Sequence, residues 1–162
     1  MGKTQSILPL VEILLVKNIV DKVTKNIQDW ILGLSKPRRE LGNFAVCHYA
    51  KFSKYRIEQR LISDLAPLEG VEVAIFVLDD AHTLEDLLGA CRALGEAHPD
   101  YIFLDDHKDD STFINGVQTN NGKYNLILCQ NKKKLLEARE NLHQTEYYSY
   151  WDQELYNRIV QG

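Results

Sequence analysis

The chain has 162 residues, 44% of them hydrophobic and 26% charged, with a formal net charge of −4. That suits one globular domain with a real core, or a smaller domain carrying an added segment. Residues 1–41 hold seven Lys/Arg against four Asp/Glu and residues 42–162 hold twelve against nineteen, so the body is acidic and nucleic acid is an unlikely partner, because phosphate binding needs a cationic face.

Met1 to Ser6 (MGKTQS) matches the acceptor pattern for N-myristoylation, with Gly2 as the acylated residue. From Ile7 to Leu34 the spacing predicts a long helix. Val11, Leu15, Ile19, Val23, Ile27, Trp30 and Leu34 recur every three or four residues, forming one apolar stripe. Glu12 and Lys17 break the apolar run well short of a transmembrane span. Such a helix would dock on the domain, on a second copy of itself or another protein partner, or on a membrane interface. Pro37 marks a boundary, giving an amphipathic helix and linker over 1–41 and an α/β domain with C-terminal helices over 42–162. On this division, removing residues 1–35 should leave the α/β domain folded.

Asn43 to Tyr49 reads as a first strand. A helix over 54–66 follows, with Ser53 as its cap and Ile57, Leu61, Leu65 and Leu68 on one face. The most legible stretch is Val71 to Asp110: an apolar strand over 72–78, a helix over 84–97 opened by Thr83-Leu84-Glu85-Asp86, and a strand over 101–104. This is a strand–helix–strand unit, which normally lies in a parallel sheet. Two strands over 112–119 and 123–129 are expected to form a hairpin through Asn120-Asn121-Gly122. Asn131 caps a further helix, and an aromatic tail ends in a short helix near Leu155 to Val160. The expected fold is therefore α/β, an open and mostly parallel flavodoxin-like or receiver-like sheet in three layers, with the N-terminal helix and helical tail added.

Three cysteines (Cys47, Cys91, Cys129) lie on apolar runs without a CxxC spacing. They read as buried reduced thiols and suit a cytoplasmic protein, with membrane association as an option through the N-terminal segment. Both central strands end in paired aspartates, Asp79-Asp80 and Asp105-Asp106, at the rim where open α/β sheets bind ligands. Four carboxylates there would repel unless solvated, capped by amides or neutralised by a cation, and Mg²⁺ is the ion for such oxygen ligands. Lys132 to Lys134 after the last predicted strand, and His48 at the end of the first, would join the same rim. The plainer alternative makes Asp79 and Asp80 helix caps and leaves 105–110 a solvated loop.

The strand–helix order and the sequence PDYIFLDD resemble the response-regulator receiver family, in which an aspartate ending the third strand accepts phosphate. The resemblance implies that Asp105 holds that position. The family's acidic pair after the first strand is replaced here by Cys47-His48-Tyr49-Ala50-Lys51, which makes the chain pseudo-receiver-like. VEVAIFVLDD and YIFLDDHKDDST are also similar in texture to the opening strands of nucleotide-sugar glycosyltransferases. No Gly-rich phosphate loop, nucleophile elbow or HExxH pattern is present. The leading expectation is a non-catalytic regulatory or interaction module recruited through its N-terminal helix to a partner, its own copy or a membrane. The alternative is a small Mg²⁺-dependent enzyme or phospho-acceptor built on the four aspartates.

Overall fold

The computed structural model describes residues 8–47, 50 and 53–161, with the side chains of the first helix described at Ile19 and from Asp21 onward. Gly2 and His48 lie outside the described residues. The architecture is mixed α/β. In chain order the elements are α1 (Leu8–Leu34), β1 (Tyr55–Gln59), β2 (Val73–Leu78), α2 (Leu84–Ala97), β3 (Tyr101–Asp106), β4 (Phe113–Ile114), β5 (Val117–Gln118), β6 (Asn125–Asn131), α3 (Lys132–His143) and α4 (Gln153–Tyr156).

One sheet has the order β1-β2-β6-β3, and β4-β5 is a separate hairpin. β1 runs parallel to β2, while β6 is antiparallel to both β2 and β3. The strand–helix–strand unit predicted over 71–110 is present, but split: α2 carries the chain across β6, which occupies the slot between β2 and β3. The sheet is thus mixed rather than mostly parallel, because the segment after β3 folds straight back beside it instead of crossing over through another helix.

The apolar sequence of β2 is buried on both faces. Ala74, Phe76 and Leu78 join Leu87 of α2, Phe103, Ile127 and Cys129 on one side. Ile75 and Val77 join Leu126 with Ile27 and Ile31 of α1 on the other. This alternation follows from the two-residue period of a strand. α1 and α2 therefore cover opposite faces, and each fully buried aliphatic side chain contributes about 1.5–3 kcal/mol. α1 is further tied by Asn26 Nδ2 donating to the Tyr124 hydroxyl (2.8 Å) and Trp30 Nε1 donating to the Thr119 carbonyl (3.1 Å). α2 begins at the predicted capping box. Thr83 Oγ1 accepts from the Asp86 amide (3.1 Å), and the Asp86 carboxylate accepts from the Thr83 amide (3.0 Å).

Three local expectations are corrected. The apolar run at 43–47 is not a strand. A 3-10 turn at Arg39–Leu41 leads into Gly42 and Asn43, both left-handed (φ 60° and 67°). The Asn43 amide bonds back to the Arg38 carbonyl. Only glycine fits at 42, since a Cβ there would collide with the Tyr150 ring. Phe44 and Val46 are instead partly buried against a third cluster built from Leu41, Ile114, Val117 and Leu155, with Tyr150 and Trp151 beside them. Outside a strand, Cys47 is exposed rather than buried, whereas Cys91 is half-buried and Cys129 buried.

The helix predicted over 54–66 is β1 followed by a 3-10 turn at Ile62–Asp64. Tyr55 and Ile57 pack on the α1 face, Leu65 belongs to the α2 face, and Leu61 is 72% exposed. The four-residue spacing of those apolar positions is accidental to their burial.

The hairpin predicted over 112–129 is much smaller. It turns at Asn115-Gly116, where both residues have positive φ (46° and 83°), as a tight two-residue turn requires. Asn120-Asn121-Gly122 is instead the lead-in to β6. The tail helix is present as α4, continuing into a π-turn over Asn157–Gln161.

Candidate functional site

Because β2 and β3 share a direction, their C-terminal ends meet one edge of the sheet, and β6 starts between them. Asparagine side chains hold that edge together. Asn125 is fully buried. Its Nδ2 donates to the carbonyls of Asp79 (2.9 Å) and His82 (3.1 Å), while its Oδ1 accepts from the Lys108 amide (3.0 Å). Asn120 bridges the Asp110 carbonyl and the Thr112 amide. His107, also buried, completes the frame: Nε2 donates to the His82 carbonyl (2.8 Å) and Nδ1 accepts from the Asp109 amide (3.1 Å). That pattern requires the Nε2–H tautomer.

The four aspartates have separate settings at this edge. Asp79 and Asp80 are exposed, and Asp79 Oδ1 accepts from the Ala81 amide (2.7 Å), a local turn cap. On β3, alternation sends neighbouring side chains to opposite faces. Asp105 is half-buried on the α2 side, where its charge adds to burial in pushing the Cys91 thiol up to about 12. Burial also raises the Asp105 carboxyl itself.

Asp106 is 7% exposed; its Oδ2 accepts from the Asn121 amide (3.0 Å) and its Oδ1 has no partner among the described residues. Burial pushes its carboxyl up to about 6; the Asn121 hydrogen bonds oppose this, and Asp110 and Asp105 add to it. Among the described residues, no group of three or more His, Cys, Asp or Glu side chains is disposed to hold a metal ion.

The lysines expected at this rim are at the other end of the sheet. β6 runs antiparallel, with Leu126 opposite Asp106 and Asn131 opposite Tyr101. Lys132 to Lys134 therefore open α3 at the edge where β3 begins, and Lys134 Nζ lies 3.7 Å from Glu72. No phosphate could meet the aspartates and these lysines together.

That second edge carries a half-open groove of about 420 Å³. Its floor is the α1 face of the sheet at Val73, Ile75 and Leu128. One wall is the end of α1 (Trp30, Ile31, Leu34), and the other is α3 with the tail residues Tyr147, Tyr148 and Trp151. The tail is locked onto α3 by His143, whose Nδ1 donates to the Arg139 carbonyl (2.7 Å) and whose Nε2 accepts from the Tyr156 hydroxyl (2.7 Å). Tyr147 donates its hydroxyl to the Val46 carbonyl, and its burial raises the phenol above the ordinary range. The groove was not legible from the sequence, since its described walls come from separate stretches: the end of α1, positions between Val46 and Tyr55, the start of β2, and the end of β6 with α3 and the tail. The tail aromatics were its one visible signal.

No family model, curated protein or solved structure matches this chain. Among the described residues, no helix is long and apolar enough to cross a membrane.

Proposed function

We propose that the protein is a non-catalytic interaction module that associates with a second copy of itself through the N-terminal part of α1. The observation that carries this reading is Ile19. The stripe that is buried at Ile27 and half-buried at Val23 continues to Ile19, which is 61% exposed. By sequence it extends further to Leu15 and Val11. A helix whose last turns are fixed in a core and whose stripe runs on into solvent is an association surface in waiting. Residues 1–41 supply that segment in this reading, and residues 42–162 supply the body.

Charge favours a second copy over an anionic lipid surface. Glu12 and Asp21 alternate with Lys17 and Lys22 beside the stripe, a balanced set that an antiparallel copy complements and that a membrane would not select. Sedimentation velocity on the full chain and on Ile19→Glu tests this. The wild type is expected to form a dimer, and the variant to stay monomeric while keeping a cooperative thermal transition. A wild-type monomer, or flotation with anionic vesicles that Ile19→Glu abolishes, would overturn the dimer reading.

A further inference from the structure

The groove between the C-terminal turns of α1 and α3 has the character of a ligand site. Its volume of about 420 Å³ falls within the range of small-molecule pockets, roughly 300–1,000 Å³. The chain has two tryptophans, and both, Trp30 and Trp151, line it. Tyr147 and Tyr148 stand beside them. Their rings are braced edge to face, with Tyr147–Trp151 centroids 5.9 Å apart and Tyr148–Trp151 centroids 5.4 Å apart. Rings already ordered by one another lose little freedom when a ligand packs on them, so more of the contact energy appears as affinity.

Charge narrows the ligand class. Among the described residues, the charged lining groups are Glu72, Glu137, Lys134 and Arg139, two of each sign. Lys134 and Glu72 are within 3.7 Å of each other. An anion entering such a lining would be desolvated without a surplus of positive charge to receive it, and a cation would fare no better. Gln130 and Asn131 at the end of β6 offer amide groups for one or two hydrogen bonds.

We infer that this groove binds a neutral, planar aromatic small molecule carrying few hydrogen-bonding groups. The site is intramolecular, so it stands or falls separately from dimer formation.

The two tryptophans make the test direct. The full chain is titrated with N-phenylnaphthylamine, a neutral aromatic that accepts energy from tryptophan, and in parallel with its anionic counterpart, anilinonaphthalene sulfonate. The expected result is saturable quenching of tryptophan emission by the neutral probe at one equivalent, with the sulfonate binding much more weakly. Ala138, on the α3 wall, is the plug site: Ala138→Phe should weaken the neutral probe by about tenfold, through lost volume alone. If that variant does not fold, as judged by circular dichroism, Ala138→Leu takes its place with a several-fold effect expected. Absence of saturable quenching, equal binding of the sulfonate, or binding indifferent to the folded plug variant would each overturn the assignment.

Discussion

At the residue scale the most consequential group is Asp106. Its Oδ2 is held by the Asn121 amide, but its Oδ1 is buried with no partner among the described residues, and Asp105 and Asp110 add their charge. An acid whose folded pKa is raised, here from 3.8 to about 6, holds its proton more tightly in the native state than in the unfolded one. Stability from this group is therefore full below about pH 4, falls as pH rises through the window from about 4 to 6, and stays low above it. The ionised form costs on the order of 2–3 kcal/mol. Asp106→Asn should accordingly raise the melting temperature at pH about 7.5 by several degrees, and by much less at pH about 4.5. Thermal melts of both proteins at the two pH values check this. An equal shift at both would mean that charge is not the cause. The carboxylate pairs were visible in the sequence, but their separation was not: burial of Asp106 and exposure of Asp79 depend on β6 entering between β2 and β3. The asparagines that organise this edge, Asn120, Asn121 and Asn125, looked like turn residues, because local patterns carry no record of a side chain's distant partners.

At the element scale, legibility follows how local each element's determinants are. α2 was readable to its first turn, since Thr83 and Asp86 satisfy one another within four residues. β2 was readable because burial on both faces leaves an unbroken apolar run. β1 was not: Ile57, Leu61 and Leu65 have a helical spacing, yet they end on the α1 face, in solvent and on the α2 face respectively. The last turns of α1 dock on the domain, one of the options its apolar stripe left open. Removing residues 1–35 would delete Ile27 (1% exposed) and Ile31 (7% exposed) together with the Asn26 and Trp30 hydrogen bonds. That loss is about 5 kcal/mol or more, comparable with the whole stability of a small domain. The expected outcome is that a chain starting at residue 36 shows no cooperative unfolding. A chain starting at residue 19 should keep it, because among the described residues the buried and hydrogen-bonded positions of α1 lie downstream. Denaturant titrations of the two truncations, followed by circular dichroism, distinguish the cases.

At the scale of the whole molecule, α1 belongs to two surfaces. Its final turns cover the sheet and form one wall of the groove through Trp30, Ile31 and Leu34. Its stripe at the exposed Ile19, continued by sequence through Leu15 and Val11, is the proposed contact with a second copy. The aspartate rim lies at the opposite end of the sheet from the groove, because β6 reverses direction. A reading of the chain as parallel strands therefore joins at one edge what the fold separates. The central claim is that two copies meet along this stripe, and intermolecular distance is its most direct measure. A nitroxide at position 22, an exposed site of α1 beside the stripe, in a chain with its cysteines replaced, should give a defined intermolecular dipolar distance by pulsed electron resonance, and one that disappears on dilution with unlabelled protein. A featureless decay at concentrations where the folded protein is abundant would contradict it.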